Sequence, residues 1–575
     1  MRKNFLIIFL VAFSIMFPLI TRADVHGEQV NFFVNAEYDI EKRQKIAVTL
    51  RVETENVYIY IEDDWWNSLD EQGKTKISTA GEELAARFSG EIAPILTSTF
   101  GIEKLADVMT NEHFTILVHR MRGSAQGYVQ STDNFSRLEF PKSNQRKMAY
   151  LNAGGFATSL AKSYLAHEFT HLIQFKLKEE RFGVIDDIWF QEGIAELAST
   201  FVGYDRDEKE GTYLLKRKRD FISNSRDSLT EWKGNASDYG VATIFFQYIR
   251  DQYGQKVIVD AAQSPKIGIE ALNESLVKNG IAKKFEDVFT DWTIALFVND
   301  CAYGEHYCFR DPNLADLRIA PFTTFLSSFG SSDLTLTNPT KDWSGNWHRI
   351  SGGKEQLTLS FEGNSSVPFV VPYILQTKGG EYEIRFMDLD AFEKGSFHIA
   401  DFEERYTSVT ILPAIQSKFS EFSSREPSYF FNWRMQSADA KTGAGEGLSN
   451  QEEIKSLLNQ IARLEQQLEE LQKQLTVLEG KTCSSLTKDL SYGITNDEQV
   501  KCLQSFLAAQ GSEIYPERII SGNFLGLTQS AVKRFQERYA KDILAPLGLA
   551  EGTGFVGERT RAKMNDLLRA QEQIL

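Results

Sequence analysis

The stretch "YLAHEFTHLIQF", residues 164–175, sets two histidines four positions apart with a glutamate directly after the first. The chain has 575 residues but only 8 histidines, so a pair at this spacing needs an explanation. Residues four apart on an α-helix lie on the same face, one above the other. His167 and His171 can therefore direct their imidazole nitrogens at one ion, while Glu168 is rotated to the side. The spacing predicts a metal-binding helix, although two histidines can also share a helix face without a metal.

A second segment, "WFQEGIAELAS" at residues 189–199, offers a third ligand. Its carboxylate, Glu192, follows His171 by 21 positions and stands among apolar residues, where a charged group needs a partner. Catalytic zinc has three protein ligands and one open position, whereas structural zinc is closed by four ligands, often cysteines. We therefore expect His167, His171 and Glu192 to bind one zinc ion per chain, with Glu168 as the base that acts on water.

These residues resemble the gluzincin group of metallopeptidases, in which a glutamate on a following helix completes a two-histidine zinc site. The resemblance covers roughly residues 100–255. It implies an α+β zincin-like catalytic domain in which His167, His171 and Glu192 hold the metal. It also implies that Glu168 is the general base and then the proton donor in hydrolysis of an amide bond.

The resemblance implies two further features around the ligands, and the order of segments along the chain suggests a third. Glu196, four residues after Glu192, stands where thermolysin-like members carry an acidic residue that hydrogen-bonds a ligand histidine. Gluzincins add a Tyr or His that stabilises the oxyanion, and Tyr239 in "ASDYGVATIFF" is the candidate, although it could simply pack at a helix start. The strand-like "GYVQSTD" at residues 127–133 could be an edge strand that pairs with an extended peptide.

The N-terminus has the features of a targeting segment. Arg2 and Lys3 precede an apolar run at residues 5–20, and "TRA" ends at Ala23. Such a run is short for a bilayer span and is typical of a secretory signal peptide. We expect residues 1–23 to be cleaved on export, leaving no transmembrane span; a membrane anchor is the alternative.

The rest of the chain divides by composition into five further parts. They are a zincin-like metallopeptidase domain at 24–325, a β-sandwich accessory domain at 335–436, a linker at 437–450, a coiled coil at 451–480 and a peptidoglycan-binding-like domain at 481–575.

An apolar heptad pattern predicts the coiled coil, and therefore a homo-oligomer. The number of strands stays open at two or three, and a single amphipathic helix packed on its own domain is the alternative. The apolar positions are Ile454, Leu457, Ile461, Leu464, Leu468, Leu471, Leu475 and Leu478.

The C-terminal part contains paired half-motifs, "VKCLQSFL" and "GLTQSAVKRFQ", and a third Gly-then-Thr segment that leads into a helix. They resemble the peptidoglycan-binding domain of cell-wall hydrolases across most of residues 486–568. The resemblance implies a small α-helical bundle that binds the wall of a bacterium. A bundle kept as a spacer or a protein-docking module is the alternative. Most of the motif residues are expected to be core: Val500, Leu503, Gln504, Leu507, Thr528, Val532, Phe535, Gln536 and Thr560.

The net charge bears on which partners the chain can bind, and the cysteines bear on whether it contains disulfides. The net charge of −16 argues against general nucleic-acid binding, which needs a basic face. Four cysteines in an exported chain favour disulfides over metal ligands. The simplest pairing joins Cys301 to Cys308 and Cys483 to Cys502, although four cysteines allow three connectivities.

Together these features predict a secreted zinc-dependent endopeptidase that is extracellular or associated with the bacterial cell wall through residues 481–575. A hydrolase of the wall's own stem peptides would use the same site. A non-catalytic, wall-bound scaffold with a structural metal is a third possibility, although such a scaffold has no need for Glu168.

Overall fold

A computed structural model of the chain describes most of the sequence. The predicted signal peptide, the coiled coil, Cys483 and the linker from residue 440 onward lie outside the described residues. The described ranges are 24–102, 113–123, 125–206, 212–422, 425–439, 485–495, 497–511, 513–516 and 520–572.

The N-terminal unit, residues 24–321, begins with a six-stranded mixed sheet in the order β1-β2-β3-β4-β6-β5. Strands β3, β4 and β6 are parallel, and β5 is an antiparallel edge strand. Strands β3 and β4 are buried along their whole length because hydrophobic clusters cover both faces of the sheet. The strands are β1 Gln29–Phe33, β2 Lys45–Glu53, β3 Val57–Glu62, β4 Phe114–His119, β5 Gly127–Tyr128 and β6 Met148–Asn152.

Helices make up most of the rest of this unit. Helix α5 contacts β5, β6 and α6, which brings it under the edge of the sheet. Turns of π-helix follow α2 at Phe88–Ile92 and α5 at Phe175–Glu180. The α-helices are α1 Asp63–Ser68, α2 Glu71–Arg87, α3 Ala93–Thr99, α4 Ala153–Phe156, α5 Ala161–Gln174, α6 Ile188–Glu196, α7 Ala198–Val202, α8 Tyr213–Ser223, α9 Ala236–Tyr253, α10 Gln255–Ala262, α11 Gly268–Lys278 and α12 Phe285–Val298.

Two glycines let helices α6, α8 and α9 approach closely. A Cβ at Gly193 of α6 would lie 2.3 Å from the ring of Phe246 in α9. A Cβ at Gly240 of α9 would lie 2.4 Å from the backbone nitrogen of Phe221 in α8. Larger residues would push these helices apart, so the glycines fix the distances between elements that carry the candidate site.

The β-rich unit, residues 322–438, is built from a four-stranded sheet, a five-stranded sheet and a two-stranded sheet of β11 and β16, and its strands enclose one hydrophobic cluster. Strand β7 pairs with β9 in parallel, so this unit begins at Phe322 and includes residues that the sequence placed with the preceding domain. A short helix, α13 Phe402–Arg405, precedes β15. The strands are β7 Phe322–Leu326, β8 Ser332–Thr340, β9 His348–Gly352, β10 Gln356–Glu362, β11 Phe369–Val370, β12 Pro372–Thr377, β13 Tyr382–Phe386, β14 Lys394–Ile399, β15 Tyr406–Ile411, β16 Ala414–Ile415 and β17 Tyr429–Ala438.

Two tryptophans attach the β-rich unit to the helices of the N-terminal unit. Trp343 and Trp347 are 0% and 2% exposed and belong to the hydrophobic core of that unit. The Trp347 Nε1 donates a hydrogen bond to the backbone oxygen of Thr293 at 3.0 Å. The two units are therefore joined by a continuous core.

The C-terminal bundle contains α14 Glu498–Ala509, α15 Gly526–Arg538, α16 Ala540–Ile543 and α17 Glu558–Glu572. The side chain of Gln504 donates to Thr528 Oγ1 at 2.9 Å and accepts from the Gly522 nitrogen at 2.8 Å. Gln536 makes the equivalent bonds, to Thr560 at 3.0 Å and from the Gly554 nitrogen at 2.9 Å. The glutamines of the half-motifs therefore hold the turn and the start of the next helix.

The structure also describes the disulfide bonds and the apolar character of the helices. A disulfide joins Cys301 to Cys308, which is the local pairing expected for them, and Cys502 is also disulfide-bonded. Among the described residues, no helix combines the length and the apolar character needed to cross a bilayer.

Replacing Trp347 should loosen the junction between the two units. We expect Trp347→Ala to lower the free energy of unfolding by about 3–5 kcal/mol, because it leaves a large cavity. Trp347→Phe should cost about 1–3 kcal/mol, since it removes the hydrogen bond that Nε1 donates to the Thr293 oxygen and leaves part of the indole volume empty. Urea denaturation measures both. Phe329→Ala, at a side chain that is 92% exposed, is the control; equal losses in Trp347→Ala and the control would contradict the joined core.

Candidate metal centre

Helices α5 and α6 bring the three predicted ligands together. The Nε2 atoms of His167 and His171 are 3.2 Å apart. Oε2 of Glu192 lies 3.2 Å from the first nitrogen and 3.6 Å from the second. Among the described residues, these three form the one group of His, Cys, Asp or Glu side chains whose ligand atoms all lie within 4.8 Å of one another.

These distances fit a tetrahedral metal ion. Atoms held tetrahedrally at 2.0–2.1 Å from one ion lie about 3.3–3.4 Å from each other. Within the described part of the chain, Oε2 of Glu192 is buried without a well-aligned hydrogen bond, which is costly for a carboxylate. Two imidazoles and one carboxylate are also a ligand set that zinc accepts. The spacing and chemistry of His167, His171 and Glu192 would therefore suit one zinc ion.

The electrostatics of the group favour a cation. Burial works against a charge on His171, but the negative charge of Glu192 outweighs it and raises the pKa of this imidazole to about 9. Burial likewise opposes ionisation of Glu192, yet the two histidines hold the pKa of its carboxyl well below the usual range. A metal ion bound between the same atoms would take the place of the proton on His171, because metal-binding imidazole is neutral.

One ligand is oriented by a residue that the sequence did not reveal. Nδ1 of His171 lies 3.2 Å from Oε1 of Gln174, three residues later on the same helix. The amide of Gln174 in turn donates to the backbone oxygen of Gln191 at 2.9 Å, next to Glu192. Gln174 thereby couples the ring of His171 to α6.

The other histidine faces the predicted acidic residue. Nδ1 of His167 lies 3.4 Å from Oε1 of Glu196, which is 1% exposed. Glu196 is held by Arg217 at 2.7 and 2.8 Å, by the hydroxyl of Tyr213 at 2.7 Å and by that of Thr243 at 2.9 Å. Arg217 and Tyr213 both belong to α8. This helix supplies none of the three proposed metal ligands, yet it fixes the position of Glu196.

Glu168 lies beside the ligands and directly under the edge strand. It is 6% exposed, and burial raises the pKa of its carboxyl to about 7. Gly127 of β5 approaches so closely that a Cβ there would lie 2.6 Å from Oε1 of Glu168. The absence of a side chain at residue 127 is what lets the edge strand and the carboxylate share this space.

Tyr239 is in the first turn of α9 and lines the same cleft. Its ring lies 6.5 Å from that of His167, packs against Trp232 at 4.9 Å and is covered by the guanidinium of Arg217 at 4.5 Å. The charge of Glu192, together with burial, raises the pKa of its phenol far above the usual range. Its hydroxyl therefore stays protonated and can donate a hydrogen bond.

A second tyrosine lines the cleft, and no motif pointed to it. Tyr38, in the loop between β1 and β2, stacks on Tyr128 of the edge strand at 4.7 Å. Burial and the charges of Glu192 and Glu168 raise the pKa of its phenol. The N-terminal segment thus contributes to the wall of the candidate site.

The β-rich unit supports one wall of the cleft, which has a volume of about 830 Å³. Trp232 lines that wall, and the adjacent Glu231 is buried between Lys233 and Lys341. Oxygens of Glu231 accept hydrogen bonds from Lys341 at 2.5 and 2.6 Å and from the backbone of Glu426 at 3.0 Å. Burial alone would raise the pKa of Glu231, but hydrogen bonds from the two lysines hold it low.

Adding a methyl group at residue 127 should displace the carboxylate of Glu168. We expect Gly127→Ala to lower any hydrolytic activity at least tenfold while zinc content is unchanged, because the ligands lie elsewhere. Gly154→Ala is the control, since its Cβ would meet no atom closer than 3.6 Å. Activity and zinc are measured on the same samples; full activity in Gly127→Ala would contradict the close approach.

Removing the amide that orients His171 should weaken metal binding. Supporting contacts of this kind are worth about 10–100-fold in metal affinity. We therefore expect Gln174→Leu to raise the dissociation constant for zinc by that factor in a competition titration. Lys176→Ala, two residues further along and paired with Glu180 at the surface, should leave the constant unchanged.

No family model matches the chain, and no curated protein matches it. Among solved structures it matches a family GH115 4-O-methyl-alpha-glucuronidase with specificity for decorated arabinogalactans, at 7% sequence identity and a TM-score of 0.12. The match covers 57% of this chain and 51% of the other, so the chain spans about half the length of that enzyme. A likeness at this TM-score does not bear on the fold or the chemistry of the chain.

Proposed function

We propose that the protein is a secreted, zinc-dependent endopeptidase that hydrolyses protein or peptide bonds. The observation that supports this most strongly is the spacing of the three donor atoms, 3.2, 3.2 and 3.6 Å, with the carboxylate of Glu168 beside them. Three ligands with an adjacent base suit hydrolysis, whereas a structural site needs no base.

In this proposal each residue has a defined task. Bound zinc supplies a Lewis acid that polarises a carbonyl and makes water more acidic. Glu168 accepts a proton from the attacking water and passes it to the departing amine. Glu168 is 6% exposed and lies beside the donor atoms, a position that suits a group that must both take and give a proton. Tyr239 donates a hydrogen bond to the carbonyl oxygen as negative charge develops there.

The edge strand suits an extended peptide as the substrate. Strand β5 pairs with β6 on one side and lies directly above Glu168, so its other side faces the cleft. A peptide that added a strand at this edge would gain backbone hydrogen bonds without regard to its sequence. The proposed cleft therefore recognises the backbone first and side chains second.

Export and retention at a bacterial cell wall complete the proposal. Export is supported by the signal-peptide pattern of residues 1–23 and by the disulfide between Cys301 and Cys308. Retention is supported by the resemblance of residues 481–575 to peptidoglycan-binding domains. Self-association through residues 451–480 is part of the same proposal.

The proposal is tested by Glu168→Gln, which keeps the size of the side chain and removes the base. We expect the purified mature chain to bind one zinc and to cleave an unstructured protein such as casein. Glu168→Gln should retain zinc, and its rate of casein cleavage should be at least 100-fold lower than that of the wild type.

Glu180→Gln, at an exposed position further along the same helical segment, is the matched control and should cleave normally. A folded wild-type chain that binds no zinc would contradict the proposal. Equal cleavage by wild type and Glu168→Gln would do so as well.

A further inference from the structure

The C-terminal bundle packs on the N-terminal unit beside the candidate cleft. Phe140, in the segment between β5 and β6, is 5% exposed and belongs to the hydrophobic cluster of the bundle. The ring of Tyr492 contacts Phe140 at 5.8 Å and Phe135 at 6.3 Å. Phe135 in turn contacts Phe175, which directly follows α5.

Polar contacts accompany this aromatic group. The hydroxyl of Tyr492 donates a hydrogen bond to Glu179, and Nζ of Lys533 lies 3.2 Å from Oε1 of Glu139. Helix α15 begins so close to the N-terminal unit that a Cβ at Gly526 would lie 3.1 Å from the backbone oxygen of Gly183. Two segments of the bundle, the loop that carries Tyr492 and helix α15, therefore meet the same surface.

The two residues that are hydrogen-bonded to Tyr492 also line the cleft. Ser131, Phe175 and Glu179 belong to its wall, and Tyr492 is hydrogen-bonded to both Ser131 and Glu179. Glu179 lies eight residues beyond His171 on the same helical segment, which is about 12 Å along a helix axis. We call the part of the cleft formed by Ser131, Phe175 and Glu179 its far end.

We propose that the bundle forms the support of the far end, and that its docking limits how long a peptide the cleft accepts. Tyr492 acts as a positioning residue, because it fixes Ser131 and Glu179 without facing the metal ligands. Covering Glu179 also raises the pKa of its carboxyl to about 7, as expected for an acid buried by a neighbouring domain. The length limit rests on the function proposed above, whereas the docking does not.

Docking is tested by hydrogen exchange on the full chain. We expect Tyr492→Ala combined with Lys533→Ala to speed amide exchange at least fivefold in residues 131–140 and 179–185. Exchange within α14 should stay unchanged, which shows that the bundle itself remains folded. Lys488→Ala combined with Arg569→Ala, two exposed positions elsewhere on the bundle, is the control. Unchanged exchange in both segments of the double variant would overturn the docking.

The length limit is tested by peptide binding to the zinc-loaded chain carrying Glu168→Gln, which slows turnover. Dissociation constants are measured for peptides of four and twelve residues, with and without Tyr492→Ala. We expect the tyrosine substitution to tighten the longer peptide at least tenfold relative to the shorter one. Tyr492→Phe, which keeps the ring, should give a smaller change in the same direction. An unchanged ratio in a chain whose bundle is released would overturn the length limit.

The two proposals fail differently. A chain that binds neither peptide and cleaves no protein would contradict the proposed endopeptidase, and the length limit would fall with it. The exchange measurement would still decide whether the bundle docks at the far end.

Discussion

A buried carboxylate between two imidazoles is the constraint on which the rest of the candidate site depends. Oε2 of Glu192 is buried and lies within 3.6 Å of the ring nitrogens of His167 and His171. Such an arrangement needs a positive charge beside the carboxylate, either on an imidazole or from a bound metal ion. The surrounding helices keep it in place: Gly193 lets α6 reach α9, and α8 holds Glu196 against the back of His167. Relaxing any of these contacts would let the donor atoms separate.

The local part of this arrangement could be predicted from the sequence, whereas the long-range part could not. Helical periodicity alone places His167 and His171 on one face. The contact of Glu192 with them depends on how two helices pack; the apolar neighbours of this carboxylate and the resemblance indicated it, but periodicity did not. Arg217 and Tyr38 carry no spacing signal, because they reach the site from α8 and from a loop near the N-terminus. A tyrosine in a loop looks the same in the sequence whether it lines a cleft or faces solvent.

For the larger units, too, the sequence predicted the local strand pattern but not the contacts between units. Short apolar runs separated by turn residues predicted a β-rich unit, and the structure describes three sheets there. The unit begins at Phe322 and not at residue 335, because β7 pairs with β9. This pairing is a tertiary contact, and the sequence of β7 alone does not indicate it. Its contribution to the cleft also depends on a tertiary contact, the pairing of Lys341 with Glu231. The β-rich unit and the C-terminal bundle thus meet the N-terminal unit on different walls of one cleft.

X-ray absorption at the zinc edge of the purified, zinc-loaded chain tests the central claim most directly. Our account predicts two imidazole nitrogens at about 2.0–2.1 Å, a carboxylate oxygen at about 2.0–2.2 Å and one exchangeable water oxygen. Substituting Glu192 by Ala should remove the carboxylate contribution. Sulfur neighbours at about 2.3 Å, or a spectrum that the substitution leaves unchanged, would contradict the assignment of this cluster as an open zinc site.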